Sequence, residues 1–329
     1  MTLKTIAQGG AAAAICLLAA SASAQEADPQ AIVDLQFAIG GNHQKVRASG
    51  AKGICVKGTF TPTPEAANLS KAPFFAKAVP VTARFSMGGS NPNVSDKSKP
   101  TTRGFSMRFE DPAGDLALLL ISAPMFGTRS PKQLVEFITV RLPGADGTPA
   151  DAEKIKAFTA ANPETARQAA WLNARPVPAS FAGVDYWAVQ PYTLTDGAGK
   201  ATVAKLKAVA AAGSLGLTDD ELKAKPDSFY ADELRERLGK GPAAFDLVAI
   251  LAEPGDPTDD ATATWPEDKR KTAKLGTIAV AAIEPNATCD AKTFDPVVEA
   301  PDGIAGPVND PMFAIRSPAY AISLTRRTP

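Results

Sequence analysis

Histidine is almost absent from this sequence. Only His43 carries an imidazole among the 329 residues, which excludes a metal site built from several histidines. A Ser-His-Asp or Cys-His hydrolase is also disfavoured, because His43 alone could act as the base. Cysteine is scarce as well: Cys16, Cys55 and Cys289 form no CxxC or Cys/His spacing that would indicate zinc.

A long apolar run is also missing. The run 11–20 is the nearest candidate, but it is shorter than the roughly 20 residues needed to cross a bilayer. Lys4 supplies a positive start, and Ala22-Ser23-Ala24 has the small-x-small pattern of a cleavage site. We therefore predict a signal peptide over 1–24, cleaved after Ala24, and a periplasmic or secreted mature chain. The alternative is a buried apolar helix.

An excess of charge of either sign is the third absence. Lys+Arg and Asp+Glu both number 35, which gives a formal net charge of +0. A neutral chain argues against nucleic acid or an anionic membrane surface as a partner.

The cysteines leave two possibilities open. Cys16 would be removed with the signal peptide, so Cys55 and Cys289 would remain in an oxidising compartment. They could form a disulfide there, or they could stay as two buried thiols that behave as small apolar residues.

Strand-like segments cluster early in the chain and are then interleaved with helical ones. The clearest period of two runs from Phe105 to Phe109, where apolar and polar residues alternate. We predict an α+β fold, an antiparallel barrel or sheet with helices packed outside, in a single domain over 25–329. The predicted strands are 53–62, 79–85, 105–109, 116–121, 186–192, 201–209, 245–252 and 275–283; the predicted helices are 25–36, 131–141, 151–172 (interrupted at Asn162-Pro163), 218–224, 230–238 and 311–326.

The C-terminal helix carries a pattern with chemical meaning. Arg316, Tyr320 and Arg327 lie four and then seven residues apart. At about 100° per residue, the three side chains fall within about 40° of one direction. A guanidinium beside Tyr320 would lower the pKa of its phenol, and a phenolate is a good ligand for ferric iron. The alternative is an exposed tyrosine on a basic terminal helix.

Six segments resemble, in order along the chain, motifs of the catalase-related peroxidases, the small secreted haem-dependent relatives of catalase. The proximal haem segment of that family reads R-x-x-x-Y followed seven residues later by R, which Arg316, Tyr320 and Arg327 match. Each motif is weak alone, and six in the right order make the resemblance specific over 30–327. The other five are Arg47 to Gly53 (RASGAKG) for the distal segment ending H-A-K-G, Val81 to Ser86 for V-x-x-R-F-S, Arg103 to Phe105 for R-G-F, Ser122 to Phe126 for N-x-P-x-F, and Glu253 to Pro266 for the loop of the shorter members.

The resemblance implies a catalase-like antiparallel β-barrel that encloses haem b, without a C-terminal extension domain. Tyr320 would be the iron ligand, held as a phenolate by Arg316, with Arg327 among the cofactor-binding residues. Arg84 and Arg103 are expected at the two haem propionates, because guanidinium forks match carboxylate geometry. The substrates would be hydrogen peroxide or an organic peroxide and an electron donor that the sequence does not identify. The protein would be a monomer or a homodimer.

Two positions depart from the family pattern. Gly50 stands where the family has its distal catalytic histidine, and Ser122 where it has a distal asparagine, although Ile121 is a second candidate for that position. Since loss of a positioned base costs about 10²- to 10⁴-fold in rate, we predict an impaired peroxidase. The alternatives are a non-catalytic haem binder or sensor, and a secreted structural protein without a cofactor.

Gly50 itself has three competing explanations: a natural pseudoenzyme, a slow peroxidase that uses the vacated space, or an engineered or erroneous residue. If only the imidazole is missing, a void of its size should lie beside the iron. Gly50→His should then restore about 10² to 10⁴ in peroxide turnover.

Overall fold

The computed structural model describes residues 27–298 and 300–328. The predicted signal peptide over 1–24 lies outside these residues. No helix in the described ranges combines the length and the apolar character needed to cross a membrane.

The strands of the described chain form one antiparallel sheet that closes on itself. They are β1 (Gly53–Pro62), β2 (Val79–Met87), β3 (Arg103–Phe109), β4 (Leu116–Ile121), β5 (Tyr186–Trp187), β6 (Tyr192–Thr195), β7 (Ala201–Ala210), β8 (Ala243–Leu251), β9 (Thr272–Ile283) and β10 (Ile304–Ala305). The ring runs β1, β2, β3, β4, β5, β7, β8 and β9, and β9 pairs back onto β1. β6 pairs with β7, and β10 with β6, outside the ring. The predicted α+β fold with an antiparallel barrel is confirmed.

The barrel core follows from the period of two. On β3 the side chains of Phe105, Met107 and Phe109 are fully buried, and the residues between them lie on the outer face. Inside the barrel Phe85 stacks on Phe105 with 4.5 Å between the ring centroids. Burial of an aromatic side chain of this kind stabilises a fold by about 1.5–3 kcal/mol.

β2 is buried along nearly its whole length because both of its faces are covered. Its odd-numbered residues, such as Phe85, pack in the barrel core, whereas Arg84 and Ser86 face the layer outside. The alternation in its sequence is weak for this reason, since the outer face is also shielded from water.

Helices pack around the barrel and follow familiar start signals. α1 begins at Pro29 after Asp28, whose side chain accepts a hydrogen bond from the N–H of Gln30. α5 begins after Thr218, which forms a capping box with Glu221. The helices are α1 (Pro29–Ile39), α2 (Pro131–Thr139), α3 (Ala152–Ala161), α4 (Arg167–Asn173), α5 (Asp219–Ala224), α6 (Tyr230–Lys240), α7 (Asn286–Asp290), α8 (Pro311–Ala314) and α9 (Arg316–Thr325).

Proline divides three of the predicted elements. α3 ends before Asn162-Pro163, because the proline ring disfavours helical backbone at the residue before it. The C-terminal helix is split into α8 and α9, since Pro318 has no N–H to donate back to Ala314. The predicted strand 186–192 becomes β5 and β6 on either side of Pro191, which cannot donate to a ladder.

α1 and α9 pack against each other outside the barrel. Val33, Phe37, Ala48 and Ala319 form a small apolar core between them. The loop before β1 is held in this core, because the N–H of Ala48 donates to Ser323 Oγ of α9 at 3.1 Å. This arrangement brings the first motif of the chain against the last one.

Candidate active-site pocket

A pocket lies between α1, α9 and the outer face of the barrel. Its atom-free space is about 1300 Å³, including open solvent at the mouth. The floor consists of two rows of residues that are paired across β2, β3 and β4, namely Arg84–Ser106–Leu119 and Ser86–Gly104–Ile121. The walls include Ile32, Gln36, Arg47, Gly50, Phe126, Gln190, Phe294, Arg316, Tyr320 and Arg327.

Tyr320 enters the pocket from α9, with Arg316 one turn before it. Arg316 Nε donates a hydrogen bond to the Tyr320 hydroxyl oxygen at 3.1 Å, and Arg316 NH1 donates to Gln190 Oε1 at 3.1 Å. Burial alone would lower the pKa of Arg316, but Tyr320 and the neighbouring Tyr192 and Asp310 outweigh it and raise that pKa. Arg316 is therefore a permanent cation that fixes the orientation of the Tyr320 hydroxyl.

Three further arginines, Arg47, Arg84 and Arg327, form what we call the arginine trio. Arg84 donates to the carbonyl oxygens of Gly50 and Ala51, at 2.5 and 3.0 Å. The other two donate to carbonyl oxygens of the 289–292 stretch, at distances between 2.5 and 3.3 Å. Most of the partners of the trio are thus neutral carbonyls.

The trio carries more positive charge than its surroundings balance. Burial, followed by repulsion from Arg47, lowers the pKa of Arg84 to about 9 and that of Arg327 to about 10. Burial also lowers the pKa of Arg47, although Asp290 opposes it. The carboxylate oxygen Asp290 Oδ1 is 3.7 Å from Arg47 Nε, which is an ion-pair distance but too long for a hydrogen bond.

Two donors of the trio are left without a hydrogen-bond acceptor. The Nε atoms of Arg47 and Arg84 are buried and have no partner among the described residues. A buried, unsatisfied donor on a charged group is costly. The pocket therefore suits a ligand with carboxylate groups, which would satisfy these donors and offset the charge.

Arg103 corrects one expectation. The resemblance implies a place beside Arg84 at the cofactor carboxylates, but Arg103 does not line the pocket. Arg103 shares the inward face of β3 with Phe105, whereas Arg84 lies on the opposite face of β2 from Phe85. The guanidinium of Arg103 donates to the carbonyl oxygens of Thr101 and Asp96 and to the hydroxyl oxygen of Tyr230, at 2.6 to 3.1 Å. It closes one end of the barrel instead.

Ser122 is also absent from the pocket lining. It is buried, and its Oγ accepts a hydrogen bond from the N–H of Arg103 at 2.9 Å. The adjacent Ile121 faces the pocket instead, since it pairs with Gly104 on the outer face. The position next to Ser122 therefore offers the pocket an apolar side chain and no hydrogen-bond donor.

Gly50 lines the pocket, and its backbone conformation is one that favours glycine. Its φ of +69° lies in the left-handed region that side chains rarely adopt. A Cβ placed on this backbone would lie 3.1 Å from Ser86 Oγ and 3.6 Å from Arg84 NH1. A side chain at this position would therefore be strained and would crowd Ser86, and the imidazole-sized void beside the iron stays a prediction.

A general base is missing from the pocket. The described lining residues include no histidine and no carboxylate, and His43 is not among them. Elsewhere in the described chain, no group of three or more His, Cys, Asp or Glu residues is placed to hold a metal. The polar groups nearest to Gly50 are the Ser86 hydroxyl and the Arg84 guanidinium, which can orient a ligand but do not take up a proton near neutral pH.

Two features of the site do not follow from the sequence motifs. Arg47 is the first residue of the segment that resembles the distal motif, but the sequence pattern predicts no function for it. Its position three residues before Gly50 is the sequence signal that could have identified it as a pocket residue. Cys55 and Cys289, whose pairing the sequence leaves open, form a disulfide. Five predicted site residues, Gly50, Arg84, Arg316, Tyr320 and Arg327, meet in the one pocket.

Known proteins share this sequence pattern and fold. The catalase family model matches residues 41–328. The chain is 35% identical to a catalase-related peroxidase of Synechococcus elongatus over 286 residues, which cover 86% of this chain and 83% of the relative. It is 29% identical to a catalase-related peroxidase of Mycolicibacterium paratuberculosis, over 91% of this chain and 95% of the relative.

Solved catalases share the fold. A bacterial catalase superposes with a TM-score of 0.76 at 20% identity, and catalase A from Saccharomyces cerevisiae with a TM-score of 0.77 at 19% identity. Each match covers 87% of this chain, and this chain spans only 58% and 62% of the two catalases.

Proposed function

This chain belongs to the catalase family, and we propose that it is a secreted haem b peroxidase of the catalase-related type that reduces hydrogen peroxide or an organic peroxide slowly. The family is one of oxidoreductases that act on peroxide.

One observation carries the proposal: the arginine trio and Tyr320 line the same pocket. Haem b has two propionate carboxylates on one edge of a flat apolar ring. The trio offers cationic donors, two of them unsatisfied, for such carboxylates. Leu119 and Ile121 of the floor and Phe126 of the wall supply an apolar surface for the ring. The residues present therefore fit the cofactor that the family implies.

Each residue would have a defined task toward the cofactor. Tyr320 would present its phenol oxygen to the iron, and Arg316, which already donates to that oxygen, would keep it oriented and stabilise its negative charge. Arg47, Arg84 and Arg327 would hold the propionates by charge-assisted hydrogen bonds. When bound, haem would supply a redox-active iron that accepts oxygen from peroxide.

The residues near Gly50 would limit the rate of peroxide cleavage. Cleavage of a peroxide O–O bond is fast when a positioned base takes the proton from one oxygen and returns it to the other. Among the described residues, the polar groups nearest to Gly50 are the Ser86 hydroxyl and the Arg84 guanidinium, and neither acts as a base near neutral pH. We expect these groups to orient the peroxide and water to carry the proton, at a rate about 10²- to 10⁴-fold below that of a site with a base.

A non-catalytic haem binder or sensor is the second candidate. It is favoured by the absence of a base from the described pocket residues and by the left-handed backbone of Gly50, which does not accommodate a histidine without strain. Peroxide turnover of the haem-loaded protein separates the two candidates.

A proposed location completes the assignment. The small-x-small pattern at Ala22-Ser23-Ala24 and the disulfide between Cys55 and Cys289 both support export to an oxidising compartment. There the enzyme would need an electron donor as its second substrate.

The test is the absorption spectrum of the purified protein, with and without added haem and then peroxide. We expect a Soret band with ferric phenolate character, which Tyr320→Phe abolishes together with most of the haem retention. Tyr230→Phe is the matched control, because its hydroxyl binds Arg103 away from the pocket. Absence of a Soret band in the haem-treated parent, or an unchanged spectrum in Tyr320→Phe, would refute the proposal.

A further inference from the structure

The Cys55–Cys289 disulfide joins the two parts of the chain that carry the arginine trio. We propose that this disulfide is a positioning element of the carboxylate site, so that the protein holds a carboxylate-bearing porphyrin tightly only when the bond is formed. The inference rests on the proposed function, because it assigns the trio to cofactor carboxylates. Both sulfur-bearing residues are fully buried.

On the barrel side, the disulfide lies next to Arg84. Cys55 of β1 is directly opposite Arg84 of β2 in the antiparallel register. Directly opposed residues project from the same face of a sheet and lie within side-chain contact. A change in the position of Cys55 is therefore transmitted to the strand position that carries Arg84.

On the other side, the disulfide fixes the stretch that holds the remaining two arginines. The carbonyl oxygen of Cys289 accepts from Arg47 NH2 at 2.5 Å. The carbonyl oxygen of Asp290 accepts from Arg327 Nε at 3.0 Å, and that of Lys292 accepts from Arg327 NH2 at 2.9 Å. The orientation of both guanidinium groups therefore depends on where residues 289–292 lie.

Non-covalent contacts also join this stretch to the barrel. α7 is a helix of only five residues. Asn286 accepts from the N–H of Cys55 at 3.0 Å, and Lys292 Nζ forms an ion pair with Glu110 at 2.8 Å. Both partners of that ion pair are partly exposed, so it contributes little. The disulfide differs from these contacts because it is covalent and ends at the residue whose carbonyl oxygen accepts from Arg47.

A purely stabilising disulfide would behave differently. The bond links residues separated by 234 positions, and a cross-link over such a distance stabilises a fold by restricting its unfolded state. That effect acts on the whole fold and does not distinguish one folded-state ligand from another. A positioning role predicts instead a selective loss of the interaction with carboxylates.

The experiment compares two metal-free probes, protoporphyrin IX and its dimethyl ester, which differ only in their carboxylates. Binding is followed by porphyrin fluorescence at a temperature where every variant is folded. We expect the oxidised parent to prefer the acid by about 100-fold, as charge-assisted hydrogen bonds allow. The double variant Cys55→Ala/Cys289→Ala should lose about tenfold or more of this preference while its affinity for the ester changes less than threefold.

Leu234→Ala is the matched control. Leu234 is a fully buried residue of α6 that does not line the pocket, so its truncation destabilises the fold without touching the arginines. It should keep the full preference for the acid. Amide hydrogen exchange over 286–293 should accelerate in the cysteine double variant and stay at the parent rate in Leu234→Ala.

The outcomes separate the two ideas. A parent that shows no preference for the acid would refute the carboxylate site and the proposed function with it. A parent that prefers the acid, with a double variant that keeps this preference, would overturn only the role of the disulfide. If the double variant does not fold, Cys289→Ser, which breaks the bond with almost no change in volume, is measured in the same way and judged by the same criterion.

Discussion

The sharpest consequence of the structure concerns Gly50. The family pattern suggests that Gly50→His would restore the missing base, but the local backbone indicates that it will not. The residue has a φ of +69°, and a left-handed conformation costs a residue with a side chain about 1–2 kcal/mol. The new Cβ would also lie 3.1 Å from Ser86 Oγ, which is closer than ordinary van der Waals contact.

The backbone cannot relax freely, because Arg84 holds the Gly50 carbonyl oxygen at 2.5 Å. We therefore expect Gly50→Ala to lower the free energy of unfolding by about 2 kcal/mol, from strain together with crowding. Gly147→Ala is the matched control: Gly147 has a φ of +81°, and no atom lies within 4 Å of the place that its Cβ would take, so only the strain of about 1 kcal/mol applies. Urea denaturation measures both variants.

The same geometry sets the expectation for activity. Gly50→His should raise peroxide turnover of the haem-loaded protein by less than tenfold, well below the 10² to 10⁴ that a correctly placed base supplies. Adding Ser86→Ala should recover part of the lost stability, since it removes the atom that the Cβ meets. A Gly50→His variant as stable as the parent and at least 100-fold more active would refute this reasoning.

Two further predictions concern other residues. The first distinguishes Arg84 from Arg103, which the family motifs present as equivalent, and the second concerns the buried Lys205. Arg84→Ala should weaken haem binding by about 1.5–3 kcal/mol, measured by haem transfer to a scavenger protein, whereas Arg103→Ala should leave haem affinity near the parent value and lower stability, because it strips partners from buried carbonyls. Burial lowers the pKa of Lys205 to about 8. Since the unfolded chain then binds more protons than the folded one between pH 8 and the ordinary lysine range, stability should rise with pH across that window by up to about 3 kcal/mol. Lys205→Met should remove this rise in urea denaturation curves measured at several pH values.

Periodicity accounts for part of what could be predicted correctly, and the family motifs account for Gly50 and Arg84. The spacing of Arg316, Tyr320 and Arg327 puts them on one side of a helix, and in the structure all three line one pocket. The alternation from Phe105 to Phe109 likewise marks a strand of the barrel. These patterns persist because a helix or strand presents its residues at fixed angular intervals.

The same rule, applied one step further, separates the two arginines. Arg84 precedes Phe85 by one residue and must face away from the core that Phe85 enters. Arg103 precedes Phe105 by two residues and must share its inward face. The family motifs include both arginines. Only the alternation of side chains between the two faces of a strand distinguishes Arg84, which lines the pocket, from Arg103, which faces the barrel interior.

Other features depend on contacts between distant parts of the chain, and no local pattern encodes them. The disulfide partners are separated by 234 residues, and the carbonyl oxygens that orient Arg47 belong to a stretch more than 240 residues further on. The loop at Gly50 is another case, since its carbonyl oxygen accepts from Arg84, which lies 34 residues further along the chain.

Arg84 connects the two sides of the proposed site. A guanidinium has five N–H donors, and Arg84 uses two of them on the carbonyl oxygens of Gly50 and Ala51. Its buried Nε has no hydrogen-bond partner among the described residues. The group that would hold the cofactor is thus the group that fixes the loop where the family has its base. A carboxylate bound to Arg84 would therefore also affect the position of that loop, so that cofactor binding and the geometry at Gly50 are coupled through one guanidinium.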